Sequence, residues 1–259
     1  MKRLFNLFLI IVSIIDLNAQ SIPGSLSKAN LKEENLISKF THFDFSSMIT
    51  KNDTQFLGFI GDNFERIKIK YISVTKDSIN PKEYHVTGKT KVKSYVRSFK
   101  GNIEIYHIRH IIKDEYVKEV LKHANKEEAD VYSKDEYFLF ANYKYFEDAN
   151  ETETGIFIGT LTLKFYIERG SIHYDELELG IDDRFSNNQY KGKWTAYKSG
   201  ITKECNWGDY RIPDSGDLDY GAGLFSPNEK YFKNGWQSYN DAIFSRNRQA
   251  KMHEEEKWW

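Results

Sequence analysis

The segment from Asn206 to Gly221 holds the densest group of side chains that could bind a ligand. Its sequence, NWGDYRIPDSGDLDYG, brings large rings, acids and glycines together in one predicted loop. Aromatic rings offer flat apolar faces to a sugar or another ring, while charged groups bond the polar edge of such a molecule. The residues that we expect to form a ligand-binding site are Trp207, Asp209, Tyr210, Arg211 and Asp217.

A purely structural role for the same loop is the alternative. In that case Arg211 pairs with Asp209 or Asp214, and Trp207 fills one end of a barrel, because turn residues and ion pairs usually serve the fold. The two roles predict different outcomes for Trp207→Ala. If Trp207 binds the ligand, the variant should stay folded and bind more weakly. If Trp207 belongs to the core, the variant should lose the near-ultraviolet circular dichroism of the folded domain.

Catalytic and metal motifs are incomplete in this loop. Asp214-Ser215-Gly216 resembles the nucleophile motif of chymotrypsin-like proteases, but both flanks differ and no histidine stands in that family's setting. Asp214, Asp217 and Asp219 offer oxygen ligands for calcium, but the EF-hand spacing fails. The histidines show no local zinc-ligand spacing. The sequence therefore identifies no catalytic residue, no metal site and no cofactor.

The first residues carry an export signal. Lys2 and Arg3 precede an apolar stretch from Leu4 to Ile15, which is the pattern of a secretory signal peptide. The stretch is shorter than the roughly 20 residues that a membrane-spanning helix needs, so cleavage after Ala19 is favoured over an anchor. We predict a signal peptide at residues 1–19, a periplasmic or secreted product, and no membrane span after its removal.

The net charge indicates which classes of partner are unfavoured, and the cysteine content indicates whether disulfides can stabilise the fold. Without Lys2, Arg3 and Asp16, the 37 basic and 38 acidic residues become 35 and 37. This near-neutral balance favours neither nucleic acid nor an anionic membrane as a partner. Cys205 is the only cysteine in the sequence, so no intrachain disulfide can form. Burial of apolar side chains must therefore stabilise the fold, and an aromatic content of 15% supplies enough apolar surface for a core.

Apolar and polar residues alternate with period two from Phe56 onward, which predicts strands with one polar face. The strand from Tyr137 to Phe146 is apolar on both sides, so we expect it to be covered on both faces. The sets that we expect to share one face are Ile67, Ile69 and Tyr71; Tyr84, Val86, Gly88, Thr90 and Val92; Ile103, Ile105 and His107; and Tyr137, Leu139, Ala141, Tyr143 and Tyr145.

A second pattern, aromatic-x-Gly-x-apolar, predicts that the sheet is curved. It occurs at Phe56–Ile60, Phe99–Ile103, Phe157–Leu161 and Tyr190–Trp194. Glycine lets a strand bend sharply, and a neighbouring ring laid over the gap restores cover. The predicted fold is mainly β, an antiparallel curved sheet or barrel with a few short helices and a C-terminal helix.

Helix patterns are confined to short segments. Apolar residues recur on one helical face over Glu115–Ala124, with Asp114 as the expected cap, and a second helix is predicted over Leu31–Phe40. The stretch Asp241–Trp259 is rich in helix formers and lacks strand alternation. The predicted organisation is a signal peptide at 1–19, an N-terminal linker with a short helix at 20–54, a β domain at 55–238 and a helical tail at 239–259.

Four runs of sequence resemble uncharacterised secreted proteins of Bacteroidota over most of the mature chain. They are Phe56–Gly61, Gly88–Lys93, Asn206–Pro213 and Gly235-Trp236. The resemblance implies a Gram-negative periplasm or exterior, and it brings no activity, cofactor or catalytic residue with it. In curved-strand pattern and aromatic content the chain is also similar to calycin-type barrels, which is a likeness of fold and not of function.

Three functions fit these observations. The leading hypothesis is a non-enzymatic exported barrel that binds a small apolar or sugar-like ligand, and an internal cavity lined by rings would favour it. An envelope interaction protein, such as an inhibitor or immunity factor, would show a solid core and an outward aromatic patch. A carbohydrate-active hydrolase would show two carboxylates about 5–10 Å apart in a cleft.

Overall fold

The computed structural model describes residues 31–51, 56–113, 115–126, 129, 133–176 and 186–259, so the predicted signal peptide lies outside the described residues. The strands are β1 Leu57–Ile60, β2 Glu65–Lys76, β3 Glu83–Val92, β4 Tyr95–His110, β5 Asp135–Glu147, β6 Gly155–Glu168, β7 Ser171–Tyr174, β8 Asn187–Ala196 and β9 Thr202–Asp209. The helices are α1 Ile37–Phe40, α2 Ser46–Thr50, α3 Glu115–His123, α4 Gln237–Ile243 and α5 Arg248–Glu255, with a 3₁₀ turn at Glu229–Asn234. None of these helices is long and apolar enough to cross a membrane.

The strands form a closed antiparallel barrel, as the sequence predicted. Around the barrel the order is β1, β2, β3, β4, β5, β6, β8 and β9, and β9 pairs back with β1. Strand β7 adds a short hairpin to the end of β6 that lies beyond β8. Most neighbours in space are therefore also neighbours along the chain, and closure leaves the eight barrel strands without a free edge.

The predicted inward faces are confirmed for β2, β3 and most of β4 and β5. The exception is His107, which the alternation placed beside Ile103 and Ile105. A bulge between Ile105 and His107 shifts the register of β4, so that Ile108 is buried inside the barrel and His107 is only half-buried. An extra residue in one strand turns every later side chain to the opposite face, and sequence periodicity does not reveal it.

The outer face of β5 is covered only in part. Phe140 is buried, as the apolar pattern on both sides of this strand predicted, but Phe146 remains 38% exposed.

Aromatic side chains of neighbouring strands contact two of the glycines in the curved strands. Gly159 of β6 pairs with Gly192 of β8 and also stands opposite Tyr143 of β5. A Cβ atom on Gly159 would overlap the Lys191 carbonyl oxygen and lie 2.7 Å from the Tyr143 hydroxyl oxygen, so the neighbouring backbone and this hydroxyl occupy the space that a side chain would take. Phe99 covers Gly88 of the neighbouring strand in the same way.

Residues 31–51 close one end of the barrel. The Leu36 amide donates to the Ile108 carbonyl oxygen at 2.8 Å, and the Phe45 amide donates to the Tyr84 hydroxyl at 3.2 Å. From the wall, Asn188 Nδ2 donates to the carbonyl oxygen of Met48 at 2.9 Å. This part of the segment that the sequence suggested as a linker is thus packed against the barrel, and its apolar side chains belong to the main core.

The helix predicted over Leu31–Phe40 is limited to α1. Leu31 forms a β-bridge with Ile111, and Lys32 donates its amide to the His110 carbonyl at 3.0 Å, so the start of the segment continues the sheet. Asn35 then accepts the Ile37 amide on its side chain at 3.1 Å, which starts the helix there.

The chain after β9 packs on the outside of the barrel. Leu57 and Phe59 point outward from β1 and form a second apolar cluster, which explains why this strand is apolar on both faces. Trp236 anchors the cluster, because its ring is buried and its Nε1 donates to the Phe64 carbonyl at 2.8 Å. The other buried members of this cluster are Ile212, Leu218 and Phe225.

The predicted C-terminal helix is present as two helices, α4 and α5. The break falls at Arg246, which has a positive φ of 52°, and at Asn247, whose side chain accepts the amides of Gln249 and Ala250 and so caps α5. The central helix predicted from Glu115 is confirmed as α3, while its expected cap Asp114 lies outside the described residues.

A buried ion pair fastens α5 to β2. Glu254 accepts hydrogen bonds from Arg66 Nη1 at 2.9 Å and from Arg66 Nη2 at 2.7 Å, and Lys68 Nζ reaches it at 3.0 Å. The Ser238 hydroxyl of α4 also donates to Glu254. The Arg66 guanidinium lies 5.2 Å from the ring centroids of both Trp236 and Tyr239. The two C-terminal helices are therefore bound to the barrel wall through Glu254, which pairs with both Arg66 and Lys68.

Candidate functional site

The end of the barrel opposite residues 31–51 is open. Four hairpin turns surround it, at residues 61–64, 93–94, 148–154 and 197–201. Between them lies a cavity of about 560 Å³ that enters the barrel, which we call the mouth cavity. Its size falls within the range of small-molecule sites, about 300–1,000 Å³.

A buried carboxylate forms the floor of the mouth cavity. Glu147, at the end of β5, is only 6% exposed and accepts three hydrogen bonds. Thr90 Oγ1 donates to Oε1 at 3.0 Å, while the Gly155 amide and Trp194 Nε1 both donate to Oε2 at 2.9 Å. Burial raises the pKa of Glu147, even though each of these donors favours the ionised form.

Apolar side chains form part of the walls of the mouth cavity, and two of them stand at its lip. Tyr95 is 47% exposed and Ile201 is 58% exposed, so both are accessible to an entering molecule. Beyond Glu147 the barrel is filled by the rings of Tyr143 and Tyr145 and their neighbours, which limits the depth of the cavity. The apolar residues lining it are Ile60, Ile67, Val92, Tyr95, Phe157, Trp194 and Ile201.

Charged side chains of both signs form the rim. Lys93 pairs with Glu65 at 3.0 Å, and Arg97 Nη1 lies 3.3 Å from a carboxylate oxygen of Glu151. Because both signs are present in equal number, the rim can bond polar substituents but does not select strongly for net charge. The charged residues of the lining, apart from Glu147, are Asp62, Glu65, Lys93, Arg97, Glu153 and Lys203.

Trp207, the first residue of the sequence-predicted site, lies inside the barrel. It is 1% exposed and stacks on Tyr190, with ring centroids 4.8 Å apart and an interplanar angle of 13°. Its Nε1 donates to the Tyr71 hydroxyl at 3.3 Å. This position is the interior one that the structural alternative for the loop described.

Asp209 lies at the opposite end of β9 from the mouth. It is buried and accepts a hydrogen bond from the Tyr174 hydroxyl at 2.8 Å. Burial raises the pKa of Asp209, while the Tyr174 hydrogen bond and the Lys51 charge act in the opposite direction. The next residue, Tyr210, is half-buried with a positive φ of 63°, so the chain turns sharply there and leaves the barrel.

Arg211 and Asp217 both form ion pairs with other residues of the chain after β9. Arg211 pairs with Asp219, neither of the partners expected from the sequence, and Nη1 donates to the Gly221 carbonyl at 3.0 Å. Asp217 is exposed, pairs with Lys230 and accepts the Tyr231 hydroxyl at 2.7 Å. The five predicted residues thus occupy the barrel interior, the far end of β9 and the outer segment, and they do not line one cavity.

The three aspartates considered as calcium ligands each pair with a different cationic side chain. Asp214 pairs with Lys191, Asp217 with Lys230, and Asp219 with the guanidinium of Arg211. Among the described residues there is no group of three or more His, Cys, Asp or Glu side chains that could hold a metal ion.

The residues of the mouth cavity form no dense cluster in the sequence, since they are spread from Ile60 to Lys203, and they were therefore not predicted. One signal could have found Glu147. The inward series Tyr143 and Tyr145 continues, with period two, to this acid at the end of the same strand. A carboxylate at an inward position of an apolar alternation is a candidate site residue, since buried charges require partners.

No protein-family model matches this sequence, and neither the curated proteins nor the solved structures include a match.

Proposed function

We propose that the open end of this barrel binds a small ring-containing ligand with polar substituents. The observation that carries the proposal is the mouth cavity itself, in which apolar and charged side chains surround a buried carboxylate that accepts three hydrogen bonds. Tyr95 and Ile201 offer exposed apolar surface for a ring, and the charged rim offers hydrogen-bonding partners for its substituents. The filled barrel below Glu147 favours a short ligand over a long acyl chain.

Both ligand types expected from the sequence can be compared with two probes. The apolar type is represented by 1-anilinonaphthalene-8-sulfonate and the sugar-like type by 4-nitrophenyl β-D-glucoside. Isothermal titration of the full chain with each probe should give measurable binding for at least one of them. Failure of the folded protein to bind either probe would contradict the proposed ligand class.

Removal of two side chains at the lip tests where the probe binds. We expect Tyr95→Ala/Ile201→Ala to raise the dissociation constant of the bound probe about fivefold, because apolar contact area is lost at the entrance. The matched control is Tyr220→Ala/Leu224→Ala, which removes two side chains that are 68% and 67% exposed on the C-terminal segment. Equal effects of the two variants would show that the probe does not bind in the mouth cavity.

The Glu147 carboxylate on the cavity floor should make the stability of the fold depend on pH. A raised pKa means that the folded chain holds this proton more tightly than the unfolded chain. The contribution of Glu147 to stability is therefore full below its ordinary pKa of about 4.3 and is lost as the pH rises through the raised folded value. We expect the melting temperature of Glu147→Gln relative to the wild type to rise between pH 4 and pH 7. A pH-independent difference would contradict this prediction.

A further inference from the structure

Lysines are concentrated on one outer face of the barrel, across four adjacent strands. Their outward direction follows from the register, because each alternates with an inward side chain of the same strand. This concentration is unusual in a chain whose formal net charge is only −1. The six residues, which we call the basic face, are Lys68 and Lys70 of β2, Lys89 and Lys91 of β3, Lys100 of β4 and Lys144 of β5.

Two pairs of lysines stand directly opposite each other in the β2–β3 ladder. Lys68 is in register with Lys91, and Lys70 is in register with Lys89. Like charges at opposed positions of an antiparallel pair are unfavourable. Burial, the Arg66 charge and the Lys91 charge all lower the pKa of Lys68.

Among the described residues, the ion pair that an acidic side chain forms with the basic face lies at its β2 edge. Glu254 pairs with Lys68, and Lys70 lies 5.1 Å from the ring centroid of Trp259. Within the described part of the chain, no carboxylate forms an ion pair with the other members of the face. Those members are Lys89, Lys91, Lys100 and Lys144.

A groove of about 630 Å³ crosses the basic face. Lys89 and Lys100 line it together with Ile72 and Phe146, which are 51% and 38% exposed. Phe146 is in register with Lys100 and also lies under Lys144, whose Nζ is 5.1 Å from the ring centroid. Asp148 and Glu147 line the groove near the end of β5. The groove therefore combines two ammonium groups and one accessible aromatic ring with acidic residues at one end.

We propose that the basic face binds a linear acidic polysaccharide, with its carboxylate or sulfate groups on the lysines and a sugar ring against Phe146. This site is separate from the mouth cavity and does not depend on the function proposed for it. Lys89 and Lys100 line the groove, and Lys70, Lys91 and Lys144 stand on the same outer face, so several ammonium groups can meet anionic groups that repeat along a chain. An ammonium group binds each of them as a point charge, without the fixed geometry of arginine.

Other polyanions fit this face less well. Single-stranded nucleic acid is bound by several aromatic stacking platforms, whereas one ring is available in the groove. Double-stranded DNA is read by a helix or ribbon that enters a groove of the duplex, and the basic face is the broad wall of a barrel. A bilayer surface favours apolar side chains that project into it, but Ile72 and Phe146 line a concave groove.

Polygalacturonate is the probe for this proposal, with neutral dextran as its uncharged counterpart. We expect the full chain to bind polygalacturonate in low salt and not dextran, and the affinity to fall as sodium chloride is added. Lys89→Gln/Lys100→Gln should weaken binding about tenfold, as should Phe146→Ala to a smaller degree. The control Lys82→Gln/Lys198→Gln removes the same charge from two exposed turn positions and should bind like the wild type.

Circular dichroism of each variant confirms that the barrel is intact before binding is compared. The proposal is overturned if the folded wild type does not bind polygalacturonate, or if both double variants lose affinity equally. Tighter binding to a thymidine oligonucleotide or to phosphatidylglycerol vesicles than to polygalacturonate also overturns it, since the occupant would then belong to another class.

Discussion

Trp207→Ala is expected to lower the free energy of unfolding by about 3–5 kcal/mol, the cost of emptying a large aromatic site in a packed core. The Trp207 indole lies within the barrel against the rings of Tyr190, Tyr143 and Phe157. Its loss leaves a cavity between strands that pair around a closed circle, so the neighbours cannot collapse freely. Urea unfolding followed by near-ultraviolet circular dichroism measures the effect.

Trp259→Ala is the matched control, because this indole is only half-buried at the end of the chain and contacts Lys70. We expect it to cost less than about 1 kcal/mol. If Trp207→Ala were as stable as the wild type but bound the mouth probes weakly, the ligand-binding role predicted from the sequence would be supported over a role in the core.

Glu254→Ala should lower the free energy of unfolding by about 3 kcal/mol, because it removes one partner of a buried ion pair and leaves the Arg66 guanidinium and the Lys68 ammonium uncompensated. The same change should release the two terminal helices from the barrel. Limited trypsin digestion should then cleave at Lys251 or Lys257 much faster than in the wild type. Chemical unfolding measures the loss of stability.

Glu255→Ala is the control for this prediction. It removes the neighbouring acid of the same helix, which is exposed and lies 3.7 Å from Lys251. We expect its digestion and unfolding to match the wild type. If the two variants behaved alike, the Arg66 contact would not be what holds the terminal helices.

The pH dependence of this contact has a definite sign. Burial alone would raise the pKa of Glu254, but the hydrogen bonds and charges of Arg66, Ser238 and Lys68 lower it to about 2. A depressed carboxyl pKa stabilises the fold above the ordinary value of about 4.3, and this stabilisation is lost as the pH falls toward 2. The wild type should therefore lose more stability than Glu254→Gln between pH 5 and pH 2.

The strands and the curvature of the sheet could be predicted because their signals are local. Alternation over Tyr84–Val92 identifies β3 and its inward face without reference to any other strand. The glycine-and-ring pattern needs only neighbouring positions and a general rule for bent sheets. His107 shows the limit of this approach, since a single bulge in β4 reverses the alternation.

The candidate site could not be predicted in the same way, because its members come from distant parts of the chain. Glu147 is separated from its partners Thr90 and Trp194 by 57 and 47 residues. The cluster around Trp207, in contrast, is dense in the sequence, but the chain turns out of the barrel at Tyr210 and separates its side chains. Proximity along the chain was therefore a poor guide to proximity in space.

The sequence by itself determined the β character, the bent strands and the need for a core without disulfides, since these follow from residue type and short-range period. Only the tertiary structure decided which barrel end is open, where Glu147 lies and that Glu254 meets Arg66 across 188 residues. Those features depend on closure of the sheet and on the packing of residues 31–51 and of the chain after β9 against it. Long-range contacts of this kind are selected by complementary shape and charge in three dimensions, which no local pattern of residues specifies.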